Sequence, residues 1–115
     1  MANDFKRFCV PSVGTSNTTL YTVPGSSKES IVIGITMANK TNTGITGSIF
    51  IDNEDGSNDV FIVKDASIPA GSSLEVMSGN KLVLQSDASG NADNLEGIAS
   101  ATSSLDITVS VLEDV

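Results

Sequence analysis

The sequence has no histidine and no tryptophan, one cysteine, one tyrosine, four phenylalanines and only six basic residues in 115 positions. Each shortage removes a class of function. Without histidine there is no His-based triad, no imidazole general base and no imidazole metal ligand. The single cysteine, Cys9, excludes an intrachain disulfide. Aromatics at 4% oblige the core to be aliphatic and leave few of the Trp and Tyr platforms on which sugars stack. No apolar stretch reaches the roughly 18 residues of a membrane span. No signal-type apolar run follows Met1 to Arg7, so a soluble, unsecreted product is expected.

Fourteen acids against six bases give a formal charge of −8, which opposes general binding to nucleic-acid phosphates. The charge is unevenly spread. Residues 1–28 hold Lys6, Arg7 and Lys28 against Asp4 alone, whereas residues 29–115 hold three lysines against thirteen acids. A basic amino end therefore precedes a strongly acidic body.

What the chain does have is Ser, Thr, Asn and Gly between short runs of alternating apolar residues, a pattern with a period of two that specifies strands. Ile31, Ile33, Ile35 and Met37 alternate, as do Ile45, Gly47, Ile49 and Ile51, with Lys40 to Gly44 expected as the hairpin loop between them. Val60 to Val63, Leu74 to Val76 and Lys81 to Gln85 are further short strands. Leu105, Ile107, Val109 and Val111 form the clearest half-buried strand of all. Pro24-Gly25 and Pro69-Ala70-Gly71 mark two similar corners. Asn91 to Ala101 shows little amphipathicity and is expected to supply at most one helical turn. The reading is an all-β antiparallel sandwich, jelly-roll or Ig-like, of about seven or eight strands. Its core is drawn from Ile31, Ile33, Ile35, Ile49, Ile51, Phe61, Val63, Leu74, Leu82, Leu84, Ile107, Val109 and Val111.

The polar loops fail tests for chemistry. In Asp52 to Asp59, placing Gly56 at the sixth position of a calcium loop puts Ile51 and Ile62 where ligands must stand, so a solvated hairpin tip is the better reading. Asp87, Ser89, Asn91 and Asp93 form a second polar loop without ligand register. The serines lack a base, and no Ser-x-x-Lys sits at a strand-to-helix elbow. Asn17-Thr18-Thr19 and Asn39-Lys40-Thr41 match the glycosylation pattern and are read as loop residues. No enzyme activity, metal or cofactor is expected.

The amino-terminal segment is the most informative. Asn3 to Val10 contains Phe5 and Phe8, two of the four phenylalanines, flanking Lys6 and Arg7, two of the six bases. Residues 1–17 read as an arm on a body of residues 18–115, with Phe5, Lys6, Arg7 and Phe8 as partner-binding residues. Its removal is expected to leave the body folded. The competing readings are a disordered leader or a strand that completes the sheet.

Met1-Ala2-Asn3-Asp4-Phe5-Lys6, Val13-Gly14-Thr15-Ser16, Leu20-Tyr21-Thr22-Val23-Pro24 and Ile31 to Asn39, with Phe61 to Ala66, Ile68 to Leu74, Lys81 to Leu84 and Asp106 to Glu113, resemble a known pattern nearly end to end. It is that of small virion structural proteins of tailed bacteriophages, cyanophages prominent among them. The resemblance implies a virion component without a catalytic motif. With the acidic body and basic-aromatic arm, it points to a capsid decoration protein that contacts the major capsid protein and forms a trimer or ring. A neck, tail or fibre-attachment protein is the alternative, and a carbohydrate-binding module a more distant one. Neither nucleic acid nor membrane is an expected partner.

Overall fold

The computed structural model describes residues 3–52, 59–77 and 81–114, which form nine strands and no helix. In chain order they are β1 (Asn3–Val13), β2 (Thr18–Thr22), β3 (Glu29–Asn39), β4 (Ile45–Asp52), β5 (Asp59–Ile68), β6 (Ser73–Glu75), β7 (Leu82–Gln85), β8 (Asn94–Ala99) and β9 (Leu105–Asp114). Two antiparallel sheets result. One has the order β1-β9-β3, with β6 and β7 sharing the far edge of β3, and the other has the order β2-β8-β4-β5. Only β4 to β5 and β6 to β7 stay within a sheet; every other connection crosses the sandwich. With β6 and β7 counted as one interrupted strand, this is the eight-stranded order of a jelly roll.

The sheets bury one aliphatic core. Leu105, Ile107, Val109 and Val111 of β9 are each 1% exposed or less, because β9 is flanked by β1 and β3 and faces the other sheet. Each such side chain contributes roughly 1.5–3 kcal/mol relative to exposure. Ile35, Ile49 and Leu84 are buried as the alternation predicts, and Ile31, Ile51, Val63, Leu74 and Leu82 are half-buried. Three expected core residues are not in the core: Ile31 is half-buried on the outer face, Ile33 is 39% exposed and Phe61 is 42% exposed. The reason for Ile33 is a bulge. The β3–β9 register shifts between Val32 and Gly34, so Ser30 and Val32 point inward before it and Ile35, Met37 and Asn39 after it. Similar shifts in β5, around Ile62 and around Lys64-Asp65, set Phe61 on the outer face.

Lys40 to Gly44 is not a hairpin loop. β3 and β4 belong to different sheets, and the loop carries the chain from one to the other. Asn39 directs this crossover. It is 2% exposed, its amide nitrogen donates to the carbonyls of Thr43, Ile68 and Pro69, and its side-chain oxygen accepts from the Thr41 amide and hydroxyl. An asparagine so engaged is closed to glycosylation in the folded protein.

Asn91 to Ala101 contains no helical turn either. It holds β8, paired to both β2 and β4 in the middle of its sheet. The inward positions are Leu95, Gly97 and Ala99, and the last two are too small to show as an apolar alternation. Gly97 is small for a reason: a Cβ there would lie 2.8 Å from Cδ1 of Ile107 in the facing sheet. The two corners form as expected, with Gly25 (φ 84°) and Gly71 (φ 69°) in the left-handed region and the Ser72 amide donating to Pro69 carbonyl at 3.1 Å.

Candidate interaction surface

Asn3 to Val10 pairs residue for residue with Asp114 to Ile107, making β1 an edge strand of the five-stranded sheet. The segment read as an arm is thus in the sheet, the strand alternative weighed beside it. Its period of two divides the four candidate residues. Lys6 and Phe8 stand opposite Val111 and Val109 and share their inward face, while Phe5 and Arg7 stand opposite Leu112 and Ser110 on the outer face.

The inward pair holds the strand down. Phe8 packs on Tyr21 of β2, ring centroids 5.0 Å apart and tilted by 56°. Lys6 Nζ lies 3.2 Å from Oε1 of Glu113, whose side chain is only 5% exposed. The Tyr21 hydroxyl donates to the other carboxylate oxygen at 2.5 Å and lies 2.7 Å from Ser30 Oγ. Since that donation uses the only hydroxyl proton of Tyr21, Ser30 is the donor to Tyr21. Burial, and then the hydrogen bond to Glu113, push the Tyr21 hydroxyl well above its usual pKa. The four residues Lys6, Tyr21, Ser30 and Glu113 come from four strands and join the two sheets at one end. Sequence reasoning missed the cluster; the signal was Glu113 continuing the inward alternation of Val109 and Val111.

The outward pair belongs to a surface. Phe5 is 77% exposed, and the registers carry its row across the sheet from Phe5 to Leu112, to Ile31 and to Val83, the last 56% exposed. Ile33 lies beside this row. A row of apolar side chains spanning a whole sheet is more than the scattered surface leucines any protein shows. Cys9, also exposed, lies two residues beyond Arg7 beside a shallow open depression.

The outer face of the four-stranded sheet has different chemistry. Phe50 and Phe61 stack with centroids 5.1 Å apart, and Lys64 Nζ lies 4.5 Å from the Phe61 centroid, leaving that ring 42% exposed. Glu96 is the next residue in their row. Asp52 and Asp59 are directly opposite each other in the neighbouring row. Partial burial, then the charges of Asp52 and Asp59, raise the Glu96 carboxyl above its ordinary value. Like charges in such an arrangement disfavour one another.

The loops provide no catalytic geometry among the described residues. The Asp87 carboxylate accepts from the Ser89 and Asn91 amides and from the Asn91 side chain, which holds its pKa below the usual carboxylate value and closes a turn. Asp106 accepts from the Ser12 amide and pairs with Lys40 at 3.0 Å, bracing the β1 bulge. No group of three or more Asp, Glu or Cys among the described residues is arranged to hold a metal. Most of the tip expected at Asp52 to Asp59, residues 53–58, lies outside the described residues; the Asp52–Asp59 pair closes its base. No described helix is long and apolar enough to cross a membrane.

No protein-family profile matches this chain, and no curated protein sequence does. Solved structures share its fold. It is similar to a chain from Bacillus endospore appendages, described as a family of disulfide-linked pili, with a TM-score of 0.59 at 12% identity over 98% of this chain and 88% of that one. It is also similar to a chain of infectious bursal disease virus, Gx strain, with a TM-score of 0.50 at 14% identity over 96% of this chain. This chain spans about a third of that viral chain, 32%. These likenesses agree with the jelly-roll order of the strands.

Proposed function

We propose that this is a non-enzymatic structural protein of a bacteriophage virion, acting as a capsid decoration protein. It holds the capsid lattice through the β1 surface and through contacts between its own copies, in a trimer or ring. The observation that carries the reading is the outer face of β1, where Phe5 is 77% exposed beside Arg7 on a body that is otherwise acidic. Lys6 and Phe8 serve the same surface indirectly by anchoring the strand. The resemblance of the sequence to phage structural proteins supports the reading. So does the fold that the chain shares with an appendage protein and a viral protein, both from assemblies built of many copies.

The test is occupancy. A Phe5→Ser, Arg7→Glu variant should fold as the parent does and be lost from purified particles; normal occupancy would defeat the proposal. Copy number separates the sites within the virion. Hundreds of copies place the protein on the head surface, whereas a handful place it in the neck, tail or fibre attachment.

A further inference from the structure

The two broad faces of the sandwich are alike in one respect and opposite in another. Both carry exposed apolar groups: Phe5, Val83 and Ile33, with the half-buried Leu112 and Ile31 between them, on the five-stranded sheet, and Phe61, packed on the buried Phe50, on the four-stranded sheet. Arg7 stands next to the first group, two residues from Phe5 on the same face. Asp52, Asp59 and Glu96 stand next to the second. Of the acidic groups of the first face, Glu29 and Glu75 lie on its β3 and β6 strands, and Asp106, on β9 beside the end of β1, is already paired with Lys40.

We infer that the partner of the β1 surface is a second copy of this chain, which presents its four-stranded sheet so that Arg7 and the Phe5 row of one copy meet Glu96, Asp52, Asp59 and Phe61 of the next. The inference rests on the reading of β1 as the assembly surface and gives that surface to the contact between copies in the trimer or ring, so that β1 holds the protein on the capsid lattice through the oligomer. Pairing like with like is disfavoured on both sides. Two four-stranded faces would oppose three carboxylates with three, each set offset only by the Lys64 that lies over Phe61, and two five-stranded faces would leave both acidic clusters without a guanidinium. The front-to-back arrangement gives the clustered carboxylates Asp52, Asp59 and Glu96 a guanidinium. Size permits it. The molecule extends 45 by 28 by 21 Å, so a broad face exceeds the roughly 800 Å² per partner of a standard interface. Because the two faces differ, the contact is heterologous, and repeating it gives a closed ring or an open stack.

The test uses the purified full-length chain, followed by sedimentation velocity over a concentration series. The parent should self-associate. Arg7→Glu and Glu96→Lys should each weaken association by about tenfold or more, with circular dichroism unchanged and melting no lower than the parent's. Mixing the two variants should restore assembly, since the carboxylate introduced at position 7 of one then meets the ammonium introduced at position 96 of the other, and the remaining contact in each pair is native. A parent that stays monomeric at every concentration, or an association that neither variant weakens, would overturn the inference. So would single variants that weaken assembly without rescue on mixing. A monomeric parent leaves particle occupancy as an independent result, so failure of the stacking contact and failure of the virion reading are distinguishable.

Discussion

Tyr21 on β2 donates a 2.5 Å hydrogen bond to Glu113 on β9, so a carboxylate near the carboxyl end of the chain ties one sheet to the other. The same carboxylate receives Lys6 from β1. Deletion of residues 1–10 would therefore strip a ladder from β9 and leave Glu113 without its cation. Point variants on the outer face are the cleaner probe of assembly.

Tyr21→Phe should destabilise the protein by about 1–3 kcal/mol, because it leaves a buried carboxylate oxygen and Ser30 without their partner. Urea unfolding at neutral pH measures it. Glu113→Ala should cost at least as much, since it orphans Tyr21 and Lys6 together.

The pH dependence of that cluster has a definite sign. The folded pKa of Tyr21 is raised above its ordinary 10.0, so its contribution is fully present below pH 10 and is lost as pH rises toward the raised value. Above pH 10 the parent should lose up to about 1.4 kcal/mol per pH unit more than Tyr21→Phe does. Parallel stability curves for the two would contradict this.

Glu96 has the opposite consequence at neutral pH. Its folded pKa is raised above 4.5, so its favourable contribution is complete below that value and is gone once the folded group ionises. Glu96→Gln should raise the melting temperature at pH 7, with the gain shrinking as pH falls toward 4. A loss of stability at pH 7 would show that Glu96 has a favourable partner.

Val109→Asp and Ile33→Asp should part company. Val109 is fully buried, and an unpaired charge there costs several kcal/mol, enough to prevent soluble folding. Ile33, in the bulge at 39% exposure, should accept Asp and melt cooperatively near the parent. Solubility and melting of the two proteins give the answer.

Gly97→Ala should lower stability by about 1 kcal/mol, because the new methyl meets Cδ1 of Ile107 at 2.8 Å in a filled core. Ile107→Val removes that atom. In a double-mutant cycle the pair should be more stable than the sum of the two single effects.

Much of this architecture was legible because strand alternation is local. β9, the second half of β3 and the proline-glycine corners follow from residue order alone, since a half-buried strand must place apolar groups at every second position. β8 was hidden for a related reason: its inward residues include Gly97, which leaves room for Ile107 across the core, and the small Ala99, so no apolar alternation stands out. The interaction surface was half legible. Phe5, Lys6, Arg7 and Phe8 stand out by composition, but only pairing with β9 divides them into an outward and an inward pair.

By itself, the sequence determined an aliphatic, strand-built single domain with no histidine chemistry, an acidic body and a basic, aromatic amino end. These are properties of composition and short-range periodicity, and they survive any arrangement of the strands. Only the tertiary structure decided that Lys40 to Gly44 crosses between sheets, that the bulge in β3 turns Ile33 outward, and that Phe5, Leu112, Ile31 and Val83 form one row. Those facts depend on which strands pair and in what register, through contacts between residues as far apart as Phe5 and Leu112, and no local pattern encodes them.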